Sequence, residues 1–131
     1  MKYIKVYYYS LTIYLLCNIL SCSVSDYTTD LGDNYLFVSE SNANQFITNL
    51  DNSNGHINIP CTIESVEFDD KFIIATQRSN PDCFGNDFPK KSLHYWIIDK
   101  EKKTDFGPLD SLTYLKLRND FGVSKSLNIN Y

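Results

Sequence analysis

Hydrophobic and polar positions along most of this chain follow the two-residue rhythm of half-buried strands, and only near the end does the spacing become helical. "YLFVS", Tyr35 to Ser39, predicts a strand, and "NQFITNL", Asn44 to Leu50, a second with a less regular pattern. The polar run "DNSNGH" that follows predicts a turn, because Asn54-Gly55 supplies the positive backbone angles a tight hairpin needs. "HINIP" and "TIESVEF" are rich in β-branched residues; strict alternation in the latter puts Glu64, Val66 and Phe68 on one face and Ile63, Ser65 and Glu67 on the other. Asp69 to Lys71 then predicts a hairpin turn onto "FIIATQ", Phe72 to Gln77, whose apolar residues fall on both faces, as in a central, covered strand. Ser79 to Ser92 carries two prolines, Gly85 and several Asn and Asp, and predicts a loop. "LHYWIID", Leu93 to Asp99, predicts a strand, followed by the charged turn "KEKKT" and a short return at Asp105-Phe106.

The last element is helical. Asp110 is an N-cap residue, Leu112, Tyr114, Leu115, Leu117 and Phe121 supply the apolar side, and Gly122 ends the helix. The fold class expected is α+β, mainly β: an antiparallel meander of about five to six strands with the C-terminal helix packed on it.

The N-terminal segment has a different pattern. Lys2 and Lys5 are its charges, an apolar run extends from about Val6 to Leu20, and no acidic residue precedes Asp26. The run falls short of the roughly 20 apolar residues of a bilayer span and is interrupted by Ser10, Thr12 and Asn18. Ile19-Leu20-Ser21-Cys22 resembles the bacterial lipobox, with an aliphatic residue three before the Cys and a small one just before it. The expectation is a lipoprotein signal peptide over residues 1–21, with Cys22 lipidated, a polar tether over 22–34, and one domain over 35–131. An uncleaved anchor or a plain secretory signal is the alternative.

Composition changes the picture in two ways. Removal of residues 1–21 from the 131-residue chain leaves 110 residues, room for one modest domain. It also removes two of the 12 basic residues and none of the 16 acidic ones, leaving a net charge of −6 that does not favour nucleic acid. Of the four cysteines, Cys17 lies in the signal and Cys22 is assigned to lipid, leaving Cys61 and Cys83 as a candidate disulfide of an exported protein, with two reduced buried thiols as the alternative. Lys100, Lys102 and Lys103 sit with Glu101 and read as a solvated turn.

The order "IPCTIESVEFDDKFIIATQ" and then "YWIIDKEKKTDFGPLDSLTYLKLRNDFGV" resembles a family of small bacterial lipoproteins catalogued as a domain of unknown function. The resemblance rests on Ile59-Pro60, the acidic turn Asp69-Asp70, the strand Tyr95-Trp96-Ile97, the turn Gly107-Pro108-Leu109 and the helical pair Leu117-Arg118. It implies a location and a fold, not a reaction. The loop "NPDCFGNDFPKK" and the cysteine pair lie outside the pattern.

Candidate chemistry is sparse. Zinc held by Cys61, Cys83, His56 and His94 suits the ligand types but lacks the close ligand pairs of zinc sites. Asp82, Asn86 and Asp87 offer oxygen ligands without the EF-hand spacing. His56 and His94 lie in no catalytic motif, and the adjacent carboxylates Asp69 and Asp70 read as a solvated turn. No catalytic residue, metal or cofactor is therefore assigned. The expected function is a non-catalytic binding module of the cell envelope, membrane-held by its lipid, with an envelope protein or glycan as partner. Its candidate interaction loop contains Asp82, Phe84, Asn86, Asp87 and Phe88. The outer membrane is the expected location where the host has one. An envelope hydrolase or an immunity-type inhibitor is the alternative.

Overall fold

The computed structural model describes residues 26–52, 56–84 and 92–129. The fold is mainly β, and the eight strands among the described residues divide into two antiparallel four-stranded meanders. The first sheet contains β1 (Tyr27–Asp30), β2 (Tyr35–Ser41), β3 (Asn44–Asn49) and β4 (Ile57–Ile59). The second contains β5 (Ile63–Phe68), β6 (Phe72–Arg78), β7 (Leu93–Asp99) and β8 (Thr104–Leu109). A four-residue helix α1 (Pro81–Phe84) follows β6, and α2 (Ser111–Asp120) follows β8.

The second sheet is the middle layer, and the apolar residues of β6 and β7 show why. Ile73 pairs with Ile98 and Ala75 with Trp96, so these four share one face. They pack with Leu31 of the β1–β2 connection and Tyr35, Phe37, Ile47 and Ile59 of the first sheet in one core. On the opposite face Phe72, Ile74, Tyr95 and Ile97 join Tyr114 of α2 and Val123, Leu127 and Ile129 of the C-terminal tail in a second core. A strand covered on both sides needs apolar residues on both sides, and "FIIATQ" meets that need.

Strict alternation fails in β5. A register shift between Ile63 and Ser65 inserts an extra residue, and Ile63 and Val66 then pack into the same inter-sheet core. A bulge resets the two-residue phase, so the faces expected from strict alternation are not the faces observed. Tyr27–Asp30, expected within the tether, forms edge strand β1, paired along its length with β2. Gly32, Asp33 and Asn34, all at positive φ, make the turn between the two.

Gly107-Pro108-Leu109, expected as a turn, lies instead in β8, at a register shift opposite Tyr95 and Ile97. Proline is tolerated there because β8 is an edge strand. The glycine has a steric reason: a Cβ at Gly107 would overlap the indole of Trp96. That indole is fixed from its other side, since Trp96 Nε1 donates to Gln77 Oε1 at 2.7 Å, and the fully buried Gln77 amide donates onward to the Pro60 carbonyl. Gly107→Ala is therefore expected to destabilise the domain by about 1–3 kcal/mol, the cost of overpacking a filled core; a chemical-denaturation midpoint unchanged from wild type would contradict this packing.

Helix α2 is capped at both ends as its sequence predicts. Asp110 Oδ1 accepts from the backbone of Leu112 and Thr113, each at 2.9 Å. Gly122, at φ 67°, donates to Asn119 O, and Val123 donates to Arg118 O, which together form a Schellman closure. The helix covers the sheet through fewer side chains than expected: Tyr114 is buried and Leu117 and Phe121 pack beside it, whereas Leu112 and Leu115 are 79% and 47% exposed. The tail supplies the rest of the cover. Arg118 pins it, donating to the carbonyls of Ser124 and Leu127.

Candidate functional site

The long connection between β6 and β7 leaves the sheet at one end of the molecule, and its root is tied to three neighbouring segments. Ser79 N donates to Ser92 O at 3.0 Å, which continues the β6–β7 pairing across the two feet of the connection. Cys61 and Cys83 are joined in a disulfide with Cα atoms 5.8 Å apart, inside the range a bridge spans. It fastens α1 to the segment between the two sheets. Asn80 Nδ2 donates to Thr62 Oγ1 at 3.1 Å, Thr62 Oγ1 donates to Ala43 O at 2.8 Å, and Asn80 Oδ1 accepts from Asp82 N at 3.0 Å. These bonds connect the root to the β2–β3 turn.

Beside this root lies a cleft of about 300 Å³ lined by Asn42, Ala43, Thr62, Glu64, Arg78, Ser79, Asn80 and Pro81. Its lining sets amides, hydroxyls and one charge pair among the apolar surface of Ala43 and Pro81. Arg78 holds Glu64 through both Nε and Nη2, the latter at 2.9 Å from Oε2. The carboxylate beside it raises the Arg78 pKa above its ordinary value. The pair stands in solvent, so its worth is in fixing two long side chains at the rim and not in stability.

His94 stands behind the same root. Its Nε2 is 3.0 Å from Ser79 Oγ and 2.8 Å from Ser92 Oγ, and the two hydroxyls are 2.9 Å apart. Strand register accounts for the meeting: Gln77 is opposite His94 and Arg78 opposite Leu93, so Ser79 and Ser92 follow as the next pair. Partial burial lowers the His94 pKa, which keeps the ring neutral and able to accept a hydroxyl proton. A pKa depressed in the folded state contributes stability that is complete above the unfolded value, about 6.5, and is lost as pH falls through the folded value. The domain is therefore expected to lose stability on acidification below about pH 6.5. In His94→Gln the loss over that interval should be smaller, as read from denaturation midpoints at a series of pH values; identical pH profiles would contradict the placement.

The other residues singled out in the sequence are dispersed. Asp82 is exposed on α1, and Phe84 ends that helix. Asn86, Asp87 and Phe88 lie outside the described residues, as do Cys22 and the signal segment. His56 is exposed, and its carbonyl accepts from Thr48 Oγ1. Asp69 Oδ1 accepts from the backbone of Lys71 and Phe72 at 2.8 Å each, the bonding of a hairpin turn. The disulfide takes both thiols of the zinc set considered from sequence. Sequence reasoning missed the Arg78–Glu64 clasp and the hydroxyl pair on His94, because cross-strand register is visible only once the strands are paired. It also missed Lys100: expected in a solvated turn, this residue is 4% exposed.

A family model described as a protein of unknown function, DUF3997, matches residues 32–131, and the chain belongs to that family. No curated protein and no solved structure matches the chain.

Proposed function

We propose that this member of a family of unknown function is a membrane-anchored bacterial lipoprotein, and that its domain is a non-catalytic binding module of the cell envelope. Anchoring is supported by Ile19-Leu20-Ser21-Cys22 behind a lysine-started apolar run. The observation that carries the binding role is the root of the 79–92 connection. There a disulfide, an arginine–carboxylate clasp and a chain of amide and hydroxyl bonds border a cleft of mixed polar and apolar lining beside a long loop. Binding residues sit on loops positioned by a rigid scaffold, and the feet of this loop are fixed by the disulfide and by the Ser79–Ser92 and Asn80–Thr62 hydrogen bonds. An envelope protein or glycan, each presenting hydrogen-bonding groups beside apolar faces, suits such a mixed lining.

The test is site-specific photo-crosslinking in the native host, with the reactive residue at Asp82 and, for comparison, at Asp120 on α2. A discrete adduct from position 82 and none from position 120 is the expected result. Equal adducts from both positions, or adducts from 120 alone, would place the binding surface elsewhere.

One observation favours a second reading, an envelope hydrolase. Ser79 lines the cleft with its Oγ 3.0 Å from a histidine nitrogen, the pairing of a nucleophile with its base. Covalent labelling by a fluorophosphonate that disappears in both Ser79→Ala and His94→Gln would establish that reading in place of the first.

A further inference from the structure

At the other end of β7, one strand length or roughly 20 Å from the loop root, three turns converge on a second cleft of about 300 Å³. It is lined by Asp33 and Asn34 of the β1–β2 turn, Asp51 of the turn after β3, and Lys100, Glu101 and Lys103 of the β7–β8 turn. Two of these groups neutralise each other. Lys103 Nζ donates to Asp51 Oδ2 at 2.7 Å, and Asn34 Nδ2 holds the other oxygen at 2.9 Å. Accordingly Asp51 has a lowered pKa and Lys103 a raised one.

Lys100 is the group the fold does not account for. Its side chain is buried, with Nζ 5.8 Å from the centre of the Phe68 ring. Nζ donates to one acceptor, Leu31 O, at 2.7 Å. An ammonium carries three donors, so two are without an acceptor among the described residues. The chain makes room for this group: a Cβ on Gly32, which sits at φ 83°, would stand 2.9 Å from Nζ. Lining the cleft with Lys100 are Asp33, whose carboxylate has no hydrogen bond or ion pair among the described residues, and Glu101, which has a loose 3.9 Å pairing to Lys71 in solvent.

We infer that this cleft binds a small zwitterion carrying both a carboxylate and an amino group, an α-amino acid or the end of a short peptide. The charges select that class. Once Lys103 and Asp51 are paired, one buried cation and two carboxylates remain. A simple anion would meet Lys100 against the repulsion of Asp33 and Glu101, and a simple amine would meet those carboxylates against Lys100. A ligand with both groups pairs its carboxylate with the spare donors of Lys100 and its ammonium with the two acids of the same lining. Charge-assisted hydrogen bonds of this kind are the strong ones.

The test is an NMR titration of the full chain with L-alanine, following the backbone amides of Gly32, Asn34 and Lys103. Acetate and methylammonium serve as separate half-ligands. Saturable shifts with L-alanine, and binding of each half-ligand weaker by about tenfold or more, are expected for two charged contacts acting together. Lys100→Met, which keeps the apolar stem and removes the charge, should abolish the response. Asp33→Asn with Glu101→Gln alters only exposed groups, preserves the fold, and should weaken L-alanine binding by about tenfold. The inference is overturned if L-alanine gives no saturable shift, if acetate binds as tightly as L-alanine, or if the Asp33/Glu101 variant binds it as wild type does. Failure here leaves the loop-root reading untouched, because the two clefts share no residue.

Discussion

Tyr114→Ala is expected to cost about 3–5 kcal/mol, the range for removing a buried aromatic side chain from a packed core. Tyr114 is the one fully buried side chain of α2, and its ring stacks on Tyr95 of the middle strand at 4.9 Å between centroids. Around it close Ile97, Leu127 and Ile129, so the ring joins helix, sheet and tail in one cluster. The flanking leucines make the control. Leu115→Asp, which reads from sequence as a charge placed in an interface, puts that charge on a half-exposed position and should cost less than about 1 kcal/mol. Urea denaturation of the two variants checks both. A Leu115→Asp loss as large as that of Tyr114→Ala would mean that α2 docks through a different face.

The second large effect belongs to the disulfide. Cys61 and Cys83 are 22 positions apart, and opening a loop of that size in the unfolded chain should cost about 3 kcal/mol in the chain-entropy account. For a small domain, with a total stability of about 5–15 kcal/mol, that is a substantial share. The double variant Cys61→Ala, Cys83→Ala should therefore unfold at distinctly lower urea, and reductant should lower the midpoint of the wild type and leave the variant unchanged. Coincident curves for oxidised and reduced wild type would show that the bridge constrains nothing.

Local pattern reached the elements whose burial is uniform. β6 and β7 were legible because both faces are apolar and a β-hairpin turn precedes β6. The ends of α2 were legible because Asp110 and Gly122 cap by local chemistry. What escaped was set by contacts between elements. The division into two sheets depends on which face each meander buries. The shift in β5 costs no residue pattern that could announce it, and Gly107 looks like a turn residue until the Trp96 ring is placed against it. The tail from Val123 to Ile129 carries three apolar residues in a polar run, too few for periodicity, yet all three are buried. At the loop root, composition marked a long loop and a spare cysteine pair, whereas the meeting of Ser79, Ser92 and His94 follows from register alone. Lys100 shows the limit most clearly: in a run of lysines nothing distinguishes the one whose neighbours bury it.

The proposal stands first on attachment to the membrane, and Cys22 tests that most directly. Cells of the native host expressing the wild type or Cys22→Ala are grown with an alkyne fatty acid, and the protein is captured, conjugated to a fluorophore and resolved by gel. Label on the wild type and none on Cys22→Ala is the expected result; equal label on both, or none on either, would contradict a lipoprotein anchored through Cys22.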